Sequence, residues 1–292
     1  SAEECRGRKC PHYKRCFMQW ARNRSLNADV VITNHSVYFS EPDDSVLALP
    51  KNAQVIFDEA HNLEEAATRK FLREVTPYTF RNLLRKLRQT SRTKESGFVF
   101  KLKKALLENN FLVNAEARDT MFDILNDVSK HVEAVRVSAN DFLSAVANIP
   151  RPGENAMRMR REFTQSRVWL GLNPKLNAIL DDLEALAVDM EKVSDVFTPP
   201  VDGCGHNQGS AQKPIGTELA NLTELCRDDP SLPDVVAELA REAALLVEAI
   251  HALQSDMDFL TSVEDGNWVY WLSSERDRIS QRMVGGIHAA PI

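Results

Sequence analysis

No apolar run in this sequence approaches the roughly 20 residues that a helix needs to span a bilayer, and nothing resembles a secretory leader. A glycine-rich G-x-x-x-x-G-K-[ST] loop is also missing, so the chain does not carry a complete phosphate cradle of that kind. It opens on Ser-Ala-Glu-Glu-Cys without an initiator Met and stops at His-Ala-Ala-Pro-Ile, which reads as a piece of a larger protein. Cysteine is sparse, five in 292 residues. Without a leader those thiols point to a reducing compartment, where clustered cysteines bind metal more often than they pair.

What is present is enough for one large domain or two ordinary ones. Apolar residues make up 43% and charged residues 27%, so a sizeable core and a solvated surface are both available. The net charge of −6 argues weakly against nucleic acid, but the charge is unevenly placed. Residues 6–24 hold seven Lys/Arg (Arg6, Arg8, Lys9, Lys14, Arg15, Arg22, Arg24) and no acid. Residues 81–104 hold nine against the single Glu95. An acidic chain with local basic tracts can still carry a phosphate-binding path.

Short β-branched runs at 29–33 and 55–57 predict two buried strands, each followed by a turn and a helix, the grammar of a parallel α/β sheet. After the first run, Asn34 is placed to cap the next helix. From about residue 67 the pattern turns helical. A basic amphipathic helix is predicted within 76–89 and a shorter one over 98–110. Three long seams follow with apolar residues three and four apart, from Met121 to Ile149, Leu172 to Phe197, and Leu232 to Leu260. They predict helices packed at shallow angles, as in an antiparallel bundle or coiled coil. A Gly/Pro-rich linker is expected at about 198–216, and strand composition returns at 267–272, where Trp268, Tyr270 and Trp271 read as core. The expected fold class is mainly α or α+β: part of a parallel α/β domain interrupted by a long helical insertion.

Two stretches carry chemistry. Asp58-Glu59-Ala60-His61 follows an apolar run, and acids at the carboxyl end of a buried strand sit where α/β sheets bind ligands. A nucleotide hydrolase needs one acid near Mg²⁺ and another to polarise the attacking water, and adjacent positions suit that. Alternatively the acids merely begin a helix. Cys5, Cys10 and Cys16 are close enough in sequence for one metal centre. Their residues alone leave zinc, with His12 as a fourth ligand, and iron–sulfur both open. Tyr13, Phe17 and Trp20 interleave with the basic residues there, a composition that suits single-strand binding through stacking and charge, or packing around the centre.

Taken together, the C-x4-C-x5-C run, "ADVVITNH" at 28–35, "VIFDEAHNLEEAA" at 55–67 and the closing "HAAPI" resemble the iron–sulfur XPD/DinG group of superfamily 2 DNA helicases, nearest the bacterial DinG/YoaA type. The resemblance implies a partial iron–sulfur domain at 1–24, part of the first motor domain at 25–66, an Arch-like insertion at 67–265, and a return to the motor domain at 266–292. It implies a [4Fe–4S] cluster on Cys5, Cys10 and Cys16, with a fourth ligand outside the chain. It places Mg²⁺ and ATP at Asp58, the catalytic base at Glu59 and coupling at His61. The implied activity is ATP-driven 5′→3′ unwinding in repair or replication. The implied partners are single-stranded and forked DNA and replication or repair proteins, in a bacterial cytoplasm at the nucleoid. Arg6, Arg8, Lys9, Tyr13, Lys14, Arg15, Trp20, Arg81, Arg85 and Arg88 are the expected DNA contacts. The competing reading is a non-catalytic helical scaffold with a zinc knuckle at its N-terminus.

Overall fold

The computed structural model describes residues 10, 12–39, 54–90, 95–108, 115–150, 154–197, 232–276 and 282–292. The chain divides into two compact units, one ending at Leu72 and the other running from Arg73 to Ala290. The linker expected at 198–216 lies outside the described residues.

The second unit is built on the three seams. Helices α6 (Ala115–Ala147), α8 (Asn173–Val196) and α9 (Leu232–Ser262) bury them almost residue for residue. On α6 every predicted position from Met121 to Val146 is buried. On α8 the buried set includes Ile179, Leu183, Leu186, Met190 and Val193, and on α9 it runs from Val236 to Leu260. Each such side chain taken fully from water contributes about 1.5–3 kcal/mol before entropy is subtracted. Polar cross-links show the helix directions. His131 meets Asp189 while Asp141 meets Lys175, so α6 and α8 are antiparallel. His251 meets Glu191 while Gln254 meets Glu184, so α8 and α9 are antiparallel as well.

Two shorter helices close the bundle. Helix α4 (Pro77–Leu87) starts with Pro77 at its first turn, and the Thr79 hydroxyl accepts from the Thr76 N–H at 3.2 Å. It buries Phe80, Leu83, Leu84 and Leu87 and leaves its arginines outside. Helix α5 (Phe98–Glu108) buries Phe98, Leu102 and Leu106 and is tied by Lys101 to Glu242 of α9. The four-residue α7 (Arg167–Leu170) buries Trp169 against Phe163.

The sheet departs from expectation. Strands β1 (Arg73–Val75), β4 (Ala156–Met159), β5 (Trp268–Arg276) and β6 (Met283–Pro291) form one sheet in the order β1-β6-β5-β4. The β1–β6 and β4–β5 pairings are antiparallel, not parallel. A separate two-residue pairing joins β2 (Gln89–Thr90) to β3 (Glu95–Ser96). Tyr270 and Leu272 face the core, and Trp268 packs its ring edge on Phe259 of α9. Ser274 donates to the Ala147 carbonyl at 2.9 Å, satisfying an end of α6 that its own helix leaves open.

In the first unit the described segments are α1 (Phe17–Leu26), α2 (His35–Phe39) and α3 (Leu63–Phe71). The buried strands expected at 29–33 and 55–57 are not formed. Ile32 is 94% exposed and Ile56 95% exposed, with Val30 at 78%. A strand is defined by a hydrogen-bonded neighbour, and no described strand of the chain runs beside these segments. Composition supplied the apolar run but not the partner.

Candidate functional site

The turn at Asp58-Glu59-Ala60-His61 is held from both ends. Before it, Phe57 sets its ring edge on Tyr38 at 5.1 Å and lies 6.0 Å from His35, both on α2. Helix α2 is itself started by Asn34, whose side-chain oxygen accepts from the Val37 N–H at 2.7 Å. After it, a 3-10 turn at Ala60–Asn62 runs into α3, whose first turn carries Glu64 and Glu65 and whose last carries Arg69 and Lys70. That charge order favours the helix dipole. Phe71, at the end of α3, packs edge-on against Phe39 of α2 at 6.3 Å. The aromatic set of α2, Phe57 and Phe71 therefore fixes the loop that bears the acids.

Within the turn, Glu59 adopts a left-handed backbone, φ 51° and ψ 45°. Residues other than glycine visit that region sparingly, and the sites where they do are often functional. One oxygen of Asp58 accepts the Glu59 N–H at 2.9 Å, which steadies the Asp58 carboxylate. His61 Nδ1 lies 3.3 Å from Glu59 Oε2, with both side chains open to solvent. Two carboxylates and an imidazole thus share one exposed turn, residue types that a hydrated Mg²⁺ and a water-activating base use, although the three do not converge on one point.

Cys10 and Cys16 flank a single 3-10 turn, Tyr13–Arg15, closed by the bonds Tyr13 N to Cys10 O and Cys16 N to Tyr13 O. Both are free thiols and half-buried, and soft thiolates of this kind fit an iron–sulfur centre or zinc. Cys5, Arg6, Arg8 and Lys9 lie outside the described residues. Among the described residues no three His, Cys, Asp or Glu side chains gather as a metal cluster. Lys14 and Arg15 are exposed on the turn and Tyr13 is half-buried. Trp20 is exposed on α1, one helical turn before Arg24, whose guanidinium sits 4.7 Å over its ring. Phe17 is 86% exposed, which favours a surface role for it over packing.

The remaining expected contacts lie on the second unit. Arg81 and Arg85 are exposed on α4, and Arg88 bonds Glu95 Oε1 at 3.2 Å. Burial, with the Arg88 charge adding to it, lowers the pKa of nearby Lys103. Reading the motifs alone misses His35, Tyr38 and Phe57 as the residues that position the acidic turn. The signal available for them was the aromatic spacing either side of the turn.

Residues 4–77, which hold the cysteine turn and the acidic turn, match the DEAD_2 family. The chain is similar to the ATP-dependent DNA helicase YoaA of Haemophilus influenzae, 26% identical over 239 residues covering 76% of this chain and 33% of that protein. It is 37% identical to YoaA of Escherichia coli over 24% of this chain and 12% of that protein. Against the ATP-dependent helicase DinG of Mycobacterium tuberculosis it is 36% identical over 27% of this chain and 12% of that protein. The chain therefore spans a third or less of the length of these relatives. The likeness to the DinG/YoaA type read from the motifs is shown.

Proposed function

We propose that this chain is the part of an ATP-dependent DNA helicase that carries the acidic turn, a cluster-binding cysteine turn and a helical insertion. One observation carries the reading. Asp58, Glu59 and His61 share a single exposed turn, with Glu59 in a left-handed backbone, anchored by α2 and α3 inside the residues that match the DEAD_2 family. In this reading Asp58 holds Mg²⁺-ATP, Glu59 activates the attacking water and His61 couples nucleotide state to movement. Cys5, Cys10 and Cys16 hold a [4Fe–4S] cluster, which serves structure and DNA engagement when bound. Residues 1–24 belong to the iron–sulfur domain, 25–66 and 266–292 to the first motor domain, and 67–265 to the Arch-like insertion.

The substrate is single-stranded or forked DNA, moved 5′→3′ during repair or replication in the bacterial cytoplasm, at the nucleoid. Lys14, Arg15, Trp20, Arg81, Arg85 and Arg88 contact the strand, together with Arg6, Arg8, Lys9 and Tyr13. No described helix is long and apolar enough to cross a membrane. The experiment is Glu59→Gln in the full-length protein. Loss of a general base lowers turnover by about 10²–10⁴-fold, while DNA binding persists. Turnover retained at the wild-type rate would refute the assignment of Glu59.

A further inference from the structure

Alternation along β5 buries Tyr270, Leu272 and Ser274 against the helices and puts Trp271 and Ser273 on the opposite face of the sheet. Three side chains of complementary chemistry meet on that face. Ser273 Oγ lies 2.7 Å from Nε2 of His288 on β6, and Nδ1 of the same ring lies 3.2 Å from Glu74 Oε2 on β1. Glu74 and His288 are direct cross-strand partners, so strand register holds that pair. All three residues belong to the second unit. A carboxylate only accepts, so the neutral ring donates Nδ1–H to Glu74 and offers its Nε2 lone pair to the Ser273 hydroxyl. That is the order nucleophile, base, orienting carboxylate by which a serine is activated.

We infer that Ser273, His288 and Glu74 form a serine nucleophile site that takes small activated acyl esters. The site owes nothing to the helicase reading above. Its surroundings favour chemistry over a plain cross-strand tie. Ser273 is half-buried, and its partner on β4 is the exposed Ala156, whose methyl group leaves the hydroxyl approachable from that side. Gly286 keeps the space beside the pair clear, since a Cβ there would stand 2.7 Å from His288 Nε2 and 2.8 Å from Ser273 Oγ. The Trp271 ring stacks on the imidazole at 5.3 Å and 8°, which fixes its plane. Burial lowers the His288 pKa against the opposing charges of Glu74 and Glu275, so at pH 7 the ring is neutral, the form a base needs. Arg158 is exposed, directly opposite Trp271 and diagonal to Ser273 on the same face. Diagonal neighbours stand about 7–8 Å apart, within reach of a long side chain, so Arg158 is the donor assigned to the oxyanion.

In the reaction Ser273 Oγ adds to the ester carbonyl carbon while its proton passes to His288 Nε2. The bond to the alcohol oxygen then breaks, and that oxygen leaves with the proton. Water adds to the acyl-serine carbonyl, giving a proton to Nε2, and the bond to Oγ breaks as Oγ takes that proton back. Ester and water become acid and alcohol with no change of oxidation state. Glu74 moves no proton; it holds the tautomer and steadies the imidazolium. With 12% of the His288 side chain exposed, only a small acyl group reaches the pair.

The test uses the 292-residue chain and a fluorophosphonate, whose phosphorus Ser273 Oγ attacks with loss of fluoride to leave a stable adduct. Peptide mass spectrometry is expected to place the adduct on Ser273. Its rate of formation should rise with pH to a plateau, with a midpoint below about 6.5, because only the neutral ring accepts the proton. His288→Gln is expected to slow labelling at least about 10²-fold, and Arg158→Gln to lower the rate without moving the midpoint. Hydrolysis of para-nitrophenyl acetate should fall, after fluorophosphonate treatment, to the level of Ser273→Ala. Thermal midpoints check that the variants remain folded, and where His288→Gln does not, the pH profile of the unaltered chain decides. Adducts on other residues only, or a labelling rate that climbs with hydroxide without a plateau, would overturn the inference. So would equal labelling of Ser273 in a folded His288→Gln, or ester hydrolysis no faster than that of Ser273→Ala.

Discussion

The hydroxyl of Ser273 lies 2.7 Å from Nε2 of His288, tying β5 to β6. On the other side of the ring, Nδ1 lies 3.2 Å from the Glu74 carboxylate of β1, its cross-strand neighbour. A carboxylate only accepts, so in the neutral ring Nδ1 donates to Glu74 and Nε2 accepts from Ser273. The Trp271 ring stacks on the imidazole at 5.3 Å and 8°. One histidine thus links three of the four strands.

Two glycines make that arrangement fit. A Cβ on Gly286 would stand 2.7 Å from His288 Nε2 and 2.8 Å from Ser273 Oγ. A Cβ on Gly285 would stand 2.6 Å from the Ala147 nitrogen and 2.7 Å from the Leu143 carbonyl, both backbone atoms of α6. Side chains can shift and helix backbone cannot do so cheaply. Gly285→Ala is therefore expected to destabilise by about 2–3 kcal/mol and Gly286→Ala by about 1–2 kcal/mol. Urea unfolding of both variants checks the order, and a harmless Gly285→Ala would show that β6 does not seat on α6 as described.

His288 makes stability fall in mild acid. Burial lowers its pKa, although the Glu74 charge opposes the shift. Below the ordinary value of about 6.5 the unfolded chain takes up a proton that the folded chain refuses, so the unfolded state binds more protons. This contribution is complete above that value and is lost as pH falls below it. The thermal midpoint should drop between about pH 7.5 and pH 5.5, and His288→Gln should shrink the drop. Glu74→Gln removes the opposing charge and should steepen it. Identical pH profiles for all three proteins would exclude His288 as the cause.

Asp189 is the buried polar anchor of the α6–α8 seam. Its oxygens meet His131 Nδ1 at 2.9 Å and Lys192 Nζ at 2.7 Å. Asp189→Ala loses both bonds but leaves partners that reach solvent, so the expected destabilisation is about 1–3 kcal/mol rather than that of a stranded buried charge. Asp189→Asn keeps the shape and should fall between. Chemical denaturation gives both values, and an unchanged midpoint in Asp189→Ala would contradict this role.

The chain by itself should not hydrolyse ATP at a significant rate. It holds no G-x-x-x-x-G-K-[ST] loop, and the turn bearing Asp58 and Glu59 is open to water. Positioning of the phosphates is most of what a nucleotide hydrolase supplies. A phosphate-release assay with and without DNA is the check. Robust DNA-stimulated turnover by these 292 residues would contradict the account.

The helices were legible because their evidence repeats. A seam of apolar residues three and four apart reports its own burial, and Met121 to Val146 lies under the surface as the period requires. The Asn34 cap was equally local. The strands were not legible in the same way. Arg73-Glu74-Val75 and Ala156–Met159 are too short to show a period, and both are strands only because β6 and β5 lie beside them. The runs at 29–33 and 55–57 have the better strand composition and form none. The acidic turn was visible as chemistry, but its support from Phe57, Tyr38 and His35 was not, since aromatic residues announce contact without naming the partner.

By itself, then, the sequence determined the long helices, their buried faces and the residue types at the acidic and cysteine turns. These follow from rules acting over a few residues: helical period, capping and side-chain chemistry. Tertiary structure alone decided which strands pair and that one histidine joins three of them. Those depend on which surfaces meet across tens of residues, and no local pattern encodes that choice.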